Sequence, residues 1–176
     1  MRIPQWTPEA GPRDPALVEA IEKRRGGQLI NLDRALLWSE PLARGWNAYL
    51  GAVRREISVS PRLKEIAICT VARETGADYE FDHHWPEYVR AGGDDALRPR
   101  IQDPDSATTD TAFTLEERLA IRYALTMTRN VRVPDSLFEL LRGKFNTTEL
   151  VELTAAIAAY NMVARFLVAL EVDSDP

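Results

Sequence analysis

Apolar residues recur along this chain at the spacing of helices, and no window alternates apolar and polar positions as a half-buried strand would. Start and stop signals divide the pattern. Asp14 and Pro15 open a helix that Gly26-Gly27 close. Ser39 and Pro41 open a second, running toward Arg55. Ser60-Pro61 open a third, which runs to about Thr75 and stops at Gly76. A fourth covers about Ala77 to Ala91 and ends at Gly92-Gly93. Thr114 with Glu117 makes a capping box for a helix to about Arg129. Pro134 starts a short helix ending at Gly143, and Asn146 with Glu149 caps the last one. Residues 92–113 are rich in Asp, Thr, Pro and Gly and read as a loop. Residues 1–15 hold Pro4, Pro8, Pro12 and Pro15, a density that favours extended chain. They read either as an arm lying on a surface with Trp6 as anchor or as a disordered tail. The predicted class is all-α, with an N-terminal arm over 1–15 and a single helical domain over 16–176.

The last helix carries a seam. Leu150, Leu153, Ile157, Tyr160, Ala164 and Leu167 follow spacings of three and four, an apolar stripe for packing on other helices. Ala155, Ala156, Ala158 and Ala159 flank it and permit close approach. This surface serves the chain's own core, a subunit interface, or both. The stretch Leu150 to Leu170 also contains Glu152, Asn161 and Arg165, which are costly in hydrocarbon, so it reads as a core helix and no membrane partner is expected. The first residues show no apolar signal-peptide core, and a cytoplasmic location is the expectation.

The chain has 176 residues, with 22 Lys plus Arg against 27 Asp plus Glu and a net charge of −5. A nucleic-acid binder would normally carry a basic surplus, so none is expected as a partner. The single cysteine, Cys69, excludes an internal disulfide, a Cys-x-x-Cys pair and a thiolate zinc cage. The only two histidines, His83 and His84, are adjacent. Any imidazole chemistry is therefore concentrated at one place.

Two segments hold that chemistry. In Pro61 to Arg73, apolar residues reach nearly all round the helix, which should therefore be central. Glu65 lies on its apolar stripe, where a carboxylate is costly unless paired or protonated. Dominant desolvation would raise its pKa, and pairing with an Arg from another helix would make it a structural ion pair. In Gly76 to Tyr88, Glu80 precedes His83 by three residues and His84 by four, and Glu80 with His84 can form a carboxylate–imidazole pair that orients a proton donor. Pro86 should kink this helix. A di-iron bundle needs the Glu80-x-x-His83 spacing twice plus two more carboxylates, and the chain has no third His. A mononuclear metal site from Glu65, Glu80 and His84 stays open beside a purely structural hydrogen-bond network.

The stretch Leu63-Lys64-Glu65-Ile66-Ala67-Ile68, continued by Thr75-Gly76-Ala77-Asp78-Tyr79-Glu80-Phe81-Asp82-His83-His84, resembles the carboxymuconolactone decarboxylase family, which includes the AhpD-like alkylhydroperoxidases. The likeness extends to Asn31-Leu32-Asp33-Arg34-Ala35-Leu36, to Glu149-Leu150-Val151-Glu152-Leu153-Thr154 and to Tyr160-Asn161, most of residues 28–170. It implies an AhpD-like helical bundle assembled as a trimer or hexamer. In the AhpD-like pattern a Glu is followed by a Cys-x-x-Cys and then a His. Glu65 fills the Glu position and His84 the His position. Ala77 and Glu80 stand where the two cysteines would be, and Tyr79 where a second family His would be. Peroxide reduction by a dithiol needs both thiols, so that activity is not expected. The decarboxylase branch lacks the cysteine pair and keeps a Glu and a His matching Glu80 and His84.

The resemblance thus implies a lyase that protonates a carbanion after loss of CO2 from a small carboxylated or lactone-type catabolite, without a cofactor. His84 would be the general acid/base, Glu80 its orienting partner and Glu65 a second titrating group. Tyr79, His83, Asn161 and Arg165 are the substrate-contacting candidates, with Arg165 expected to offset the nearby carboxylates Glu65, Asp78 and Glu80. The alternative is a non-catalytic ligand-binding or structural oligomer of the same fold.

Overall fold

The computed structural model describes residues 1–11 and 14–175, and those residues form helices and turns with no strand. The elements are α1 (Pro15–Arg25), α2 (Asn31–Leu36), α3 (Glu40–Arg55), α4 (Pro61–Thr75), α5 (Asp78–Arg90), α6 (Pro104–Ala107), α7 (Leu115–Asn130), α8 (Asp135–Arg142) and α9 (Thr147–Leu170). The boundary signals act as expected. Asp14 accepts from Ala16 N at the start of α1, and Gly26 ends that helix at φ 85°. Thr114 and Glu117 cap α7 reciprocally, at 3.2 and 2.8 Å. Asn146 and Glu149 do the same for α9, at 3.0 and 2.8 Å. A reciprocal box satisfies two of the N–H groups that a helix start leaves without partners.

Two expectations are corrected. Residues 92–113 are not all loop: Asp95–Leu97 is a 3-10 turn and α6 follows at Pro104–Ala107. Both are started by an aspartate, with Asp94 accepting from Ala96 N and Asp103 from Ser106 N. The stretch from Gly27 to Ser39 contains α2, too short for its periodicity to register.

The chain divides into two units, Met1–Glu56 with Leu167–Pro176, and Ile57–Phe166. In the first, Trp6 is buried, the Trp38 indole donates to the Pro4 carbonyl at 2.8 Å, and Pro8–Ala10 forms a 3-10 turn. Pro12 and Arg13, part of the expected arm, lie outside the described residues. Buried Asp33 accepts from both Arg24 and Arg25, at 3.2 and 2.9 Å. Burial, and then the neighbouring Arg25, lower the Arg24 pKa to about 10.

In the second unit α4 is central. Every residue from Leu63 to Ala72 is buried, and the helix packs chiefly on α5 and α7. The turn before α4 is held from α9, where Glu152 Oε2 accepts from Ser58 N, Ser58 Oγ and Val59 N at 2.7–2.8 Å. The α9 seam faces inward, with Leu150, Leu153, Ile157, Tyr160, Ala164 and Leu167 all buried. By length and a mean hydropathy of 1.7 α9 would suffice to cross a membrane, but this stripe is covered by protein. α9 is tied to α7 by Tyr123 to Thr154 at 2.7 Å and by Asn161 to Thr128 at 2.9 Å.

Candidate active site

The site lies wholly in the second unit and is built on the α4–α5 pair. Gly76 ends α4 at φ 68°, a left-handed conformation open to glycine at little cost, and its N–H closes on the Ala72 and Arg73 carbonyls. α5 starts two residues later and packs along α4. That turn brings Glu80 and His84 of α5 against Glu65 of α4.

His84 Nδ1 is 2.6 Å from Glu65 Oε2, and both residues are only 6 % exposed. On the opposite oxygen, Lys64 Nζ is 3.3 Å from Glu65 Oε1. The other imidazole nitrogen, Nε2, faces Glu80 Oε2 at 3.4 Å. That oxygen is buried and makes no hydrogen bond among the described residues. The Tyr160 ring meets the imidazole edge-on, with centroids 4.7 Å apart and planes at 81°. Such an edge contact fixes the plane of the imidazole.

The electrostatics follow from these distances. Burial pushes the Glu65 pKa up and is the largest single influence. The hydrogen bond and charge of His84, together with Lys64, outweigh it, so Glu65 lies below the usual carboxylate range. Of the two readings weighed above, desolvation does not prevail and pairing does, with His84 and Lys64 as the partners in place of an Arg from another helix. An ionised Glu65 accepts, so His84 Nδ1 carries a hydrogen and donates. Nε2, the nitrogen that Glu65 does not engage, is the one turned toward the Glu80 carboxyl group. Lys64 and His84 stand against the buried carboxyl groups of Glu65 and Glu80, the kind of pairing that burial of ionisable groups requires.

The short hydrogen bond of His84 is to Glu65, and Glu80 stands at 3.4 Å on the other nitrogen. Both i, i+4 spacing and tertiary contact offered His84 a carboxylate, and the hydrogen bond is made across the helix pair. Cys69, one turn after Glu65, is fully buried. Burial first, then the charges of Glu65 and Glu80, push its thiol well above the ordinary range, so it holds no thiolate at neutral pH.

The remaining candidates have partners of their own. His83 donates through Nδ1 to the Tyr79 carbonyl at 2.8 Å and stacks on the Tyr79 ring, with centroids 4.3 Å apart. The exposed Arg165 donates to the Asn161 carbonyl at 3.0 Å and to its Oδ1 at 2.6 Å. Asn161 in turn reaches Thr128 on α7. Arg165 is thus bound on its own helix, and the cation beside the carboxylates is Lys64. Asp78, the third nearby carboxylate, is paired with Arg73 at 2.9 Å. Lys64 was the residue missed. Its signal was a lysine inside an apolar run that surrounds the helix. No group of three or more His, Cys, Asp or Glu among the described residues is arranged to hold a metal ion.

An open groove of about 840 Å³ lies elsewhere in the unit, between α8 and α9, lined by Phe138, Phe145, Leu150 and Val151 with Arg142 at its edge.

No family model matches the sequence, and no curated protein matches it. Solved structures do match in fold. A peroxidase-related protein from Silicibacter sp. TM1040 superposes with a TM-score of 0.76 at 18% identity, covering 93% of this chain and 87% of that one. The debrominase Bmp8, crystallised as a cysteine-to-alanine variant with 2,3,4-tribromopyrrole, gives 0.79 at 15% identity, covering 99% and 92%. An Agrobacterium tumefaciens protein of unknown function, described as a putative antioxidant defence protein AhpD, gives 0.66 at 20% identity, covering 78% and 94%. The chain has the AhpD-like fold.

Proposed function

We propose that this chain is an enzyme of the carboxymuconolactone decarboxylase type, acting by proton transfer on a small carboxylated or lactone-type catabolite and working as a homo-oligomer. The observation that carries this reading is the 2.6 Å contact between His84 Nδ1 and Glu65 Oε2, with Nε2 turned toward Glu80. A buried carboxylate that fixes one imidazole nitrogen leaves the other to exchange a proton, the arrangement general acid–base catalysis requires. The AhpD-like neighbours, among them a peroxidase-related protein and a debrominase holding a small halogenated ring, support an enzyme with a small-molecule site. A dithiol route is closed to this chain, because Ala77 and Glu80 occupy the two thiol positions.

In the reaction, the bond between the substrate's ring carbon and its carboxylate breaks. CO2 leaves, and the electron pair stays on carbon as a dienolate. A proton exchanged between His84 Nε2 and Glu80 then passes to a carbon of that dienolate, and solvent returns one to the pair. The balance is one carboxylate and one proton consumed, with CO2 and one new C–H bond formed. Glu65 keeps Nδ1 protonated throughout, so only the Nε2 side changes. Tested with carboxymuconolactone, His84→Gln should lower turnover by about 10²–10⁴-fold, the usual contribution of a positioned acid or base. Unchanged turnover refutes the role.

A second reading, a structural hydrogen-bond network in a non-catalytic oligomer, is favoured by the burial itself. Glu65 and His84 are 6 % exposed and Glu80 is 2 % exposed. Under that reading the wild-type protein leaves carboxymuconolactone and related lactones unchanged, while His84→Gln lowers only stability.

A further inference from the structure

Lys64 and Glu65 are consecutive on α4, and both are buried, at 5 % and 6 % exposure. Neighbours in sequence do not normally face each other on a helix. Here the Lys64 ammonium nonetheless sits on Glu65 Oε1 while His84 occupies Oε2. Burying an ammonium group is costly, and a Leu or Met would fill the same apolar surroundings without that cost. Glu65 is met by Lys64 from its own helix and by His84 from α5, and the imidazole in turn by Glu80 and by Tyr160 from α9. Lys64 is the one permanent cation among them.

We propose that Lys64 is a positioning residue of this site: paired with Oε1, it keeps Glu65 a carboxylate, so that Glu65 always accepts from His84 Nδ1 and the mobile proton stays between Nε2 and Glu80. The inference rests on the proton-transfer reading for its purpose, though not for its detection. Without the cation, Glu65 would compete with Glu80 for the proton, and the imidazole would be drawn toward the wrong tautomer.

The test uses nitrogen and carbon NMR on full-length protein with labelled histidine and glutamate. Two histidines make assignment direct, with His83→Gln as the control. In wild type, His84 Nδ1 shows its one-bond N–H coupling across the neutral range. In Lys64→Met, that coupling weakens, the Glu65 carboxyl titrates at higher pH, and turnover of carboxymuconolactone falls on the order of 10–100-fold in kcat with little change in KM. Lys64→Arg restores all three. A folded Lys64→Met with His84 and Glu65 signals identical to wild type overturns the proposal and leaves Lys64 a structural ion pair. Should Lys64→Met fail to fold, the unaltered protein still decides. The Lys64 ammonium should show a through-space contact to a Glu65 carboxyl that stays ionised across the neutral range, and a protonated Glu65 carboxyl at neutral pH overturns the proposal. Turnover unaffected by His84→Gln defeats the proton-transfer reading instead, with these signals standing.

Discussion

Glu65→Gln separates charge from shape at the centre of the cluster. The amide keeps an acceptor for His84 Nδ1 and fills the same volume, so any change reports the lost charge. Hydrogen bonds to charged groups contribute about 1.5–3 kcal/mol and neutral ones about 0.5–1.5, a loss of about 1 kcal/mol at the 2.6 Å contact. Lys64 then loses its counter-charge while 5 % exposed. Breaking a buried pair from one side costs about 3–5 kcal/mol, and the 3.3 Å separation argues for the lower end. The sum is about 4 kcal/mol, a large part of the 5–15 kcal/mol that holds a domain folded. Urea unfolding should show the midpoint falling by about 2 M with an unchanged slope. The double variant Glu65→Gln with Lys64→Met should recover about 2 kcal/mol of the loss, because the buried ammonium that faced Glu65 is removed with its counter-charge. A loss below about 1 kcal/mol in the single variant, or no recovery in the double, refutes the coupling of Lys64 to Glu65.

The same pairing predicts a pH effect, since the folded pKa of Glu65 is lowered. Its contribution is complete above the ordinary carboxylate range and is lost as pH falls through the folded value, so Glu65→Gln should flatten the acid limb of a stability–pH curve. Gly93 faces the Tyr88 ring so closely that an added Cβ would lie 2.3 Å from it, and that ring is pinned by Tyr88 donating to Glu117 at 2.7 Å. Gly93→Ala should therefore cost at least about 1–3 kcal/mol by thermal unfolding, and a neutral result would mean the ring can move aside. Val131 holds φ 62° after α7 while 85 % exposed, a conformation unfavourable for a β-branched side chain. Val131→Gly should stabilise by about 1 kcal/mol, and a destabilised variant would show that no strain is stored there. Leu153→Ala, at a fully buried position on the α9 seam, should cost about 2–5 kcal/mol, and a loss under 1 would place that seam outside the core.

The long helices were legible because their ends are chemically marked: Asp14-Pro15, Ser60-Pro61, the Thr114 and Asn146 boxes, and Gly26 and Gly76 beyond the last turns. α2 and α6 were not, since six and four residues are too few to show a period, and Asp103-Pro104-Asp105-Ser106 has the composition of a loop. The central position of α4 followed from its apolar residues on every side. The partnership inside the site was less readable. Glu80 at i, i+4 is the neighbour that sequence spacing offers His84, whereas Glu65 reaches it across the helix pair, a contact set by the Gly76 turn and the packing of α5 on α4. The local pairing of Arg165 with Asn161 was no more readable, because i, i+4 spacing allows it without requiring it.

The most direct measurement follows carboxymuconolactone in D2O with wild type and His84→Gln. The account predicts CO2 release by wild type with one deuterium placed on a ring carbon of the dienolate, and near-complete loss of both in a His84→Gln protein that remains folded. Equal CO2 release and deuterium incorporation by the two proteins, or none by wild type, would contradict it.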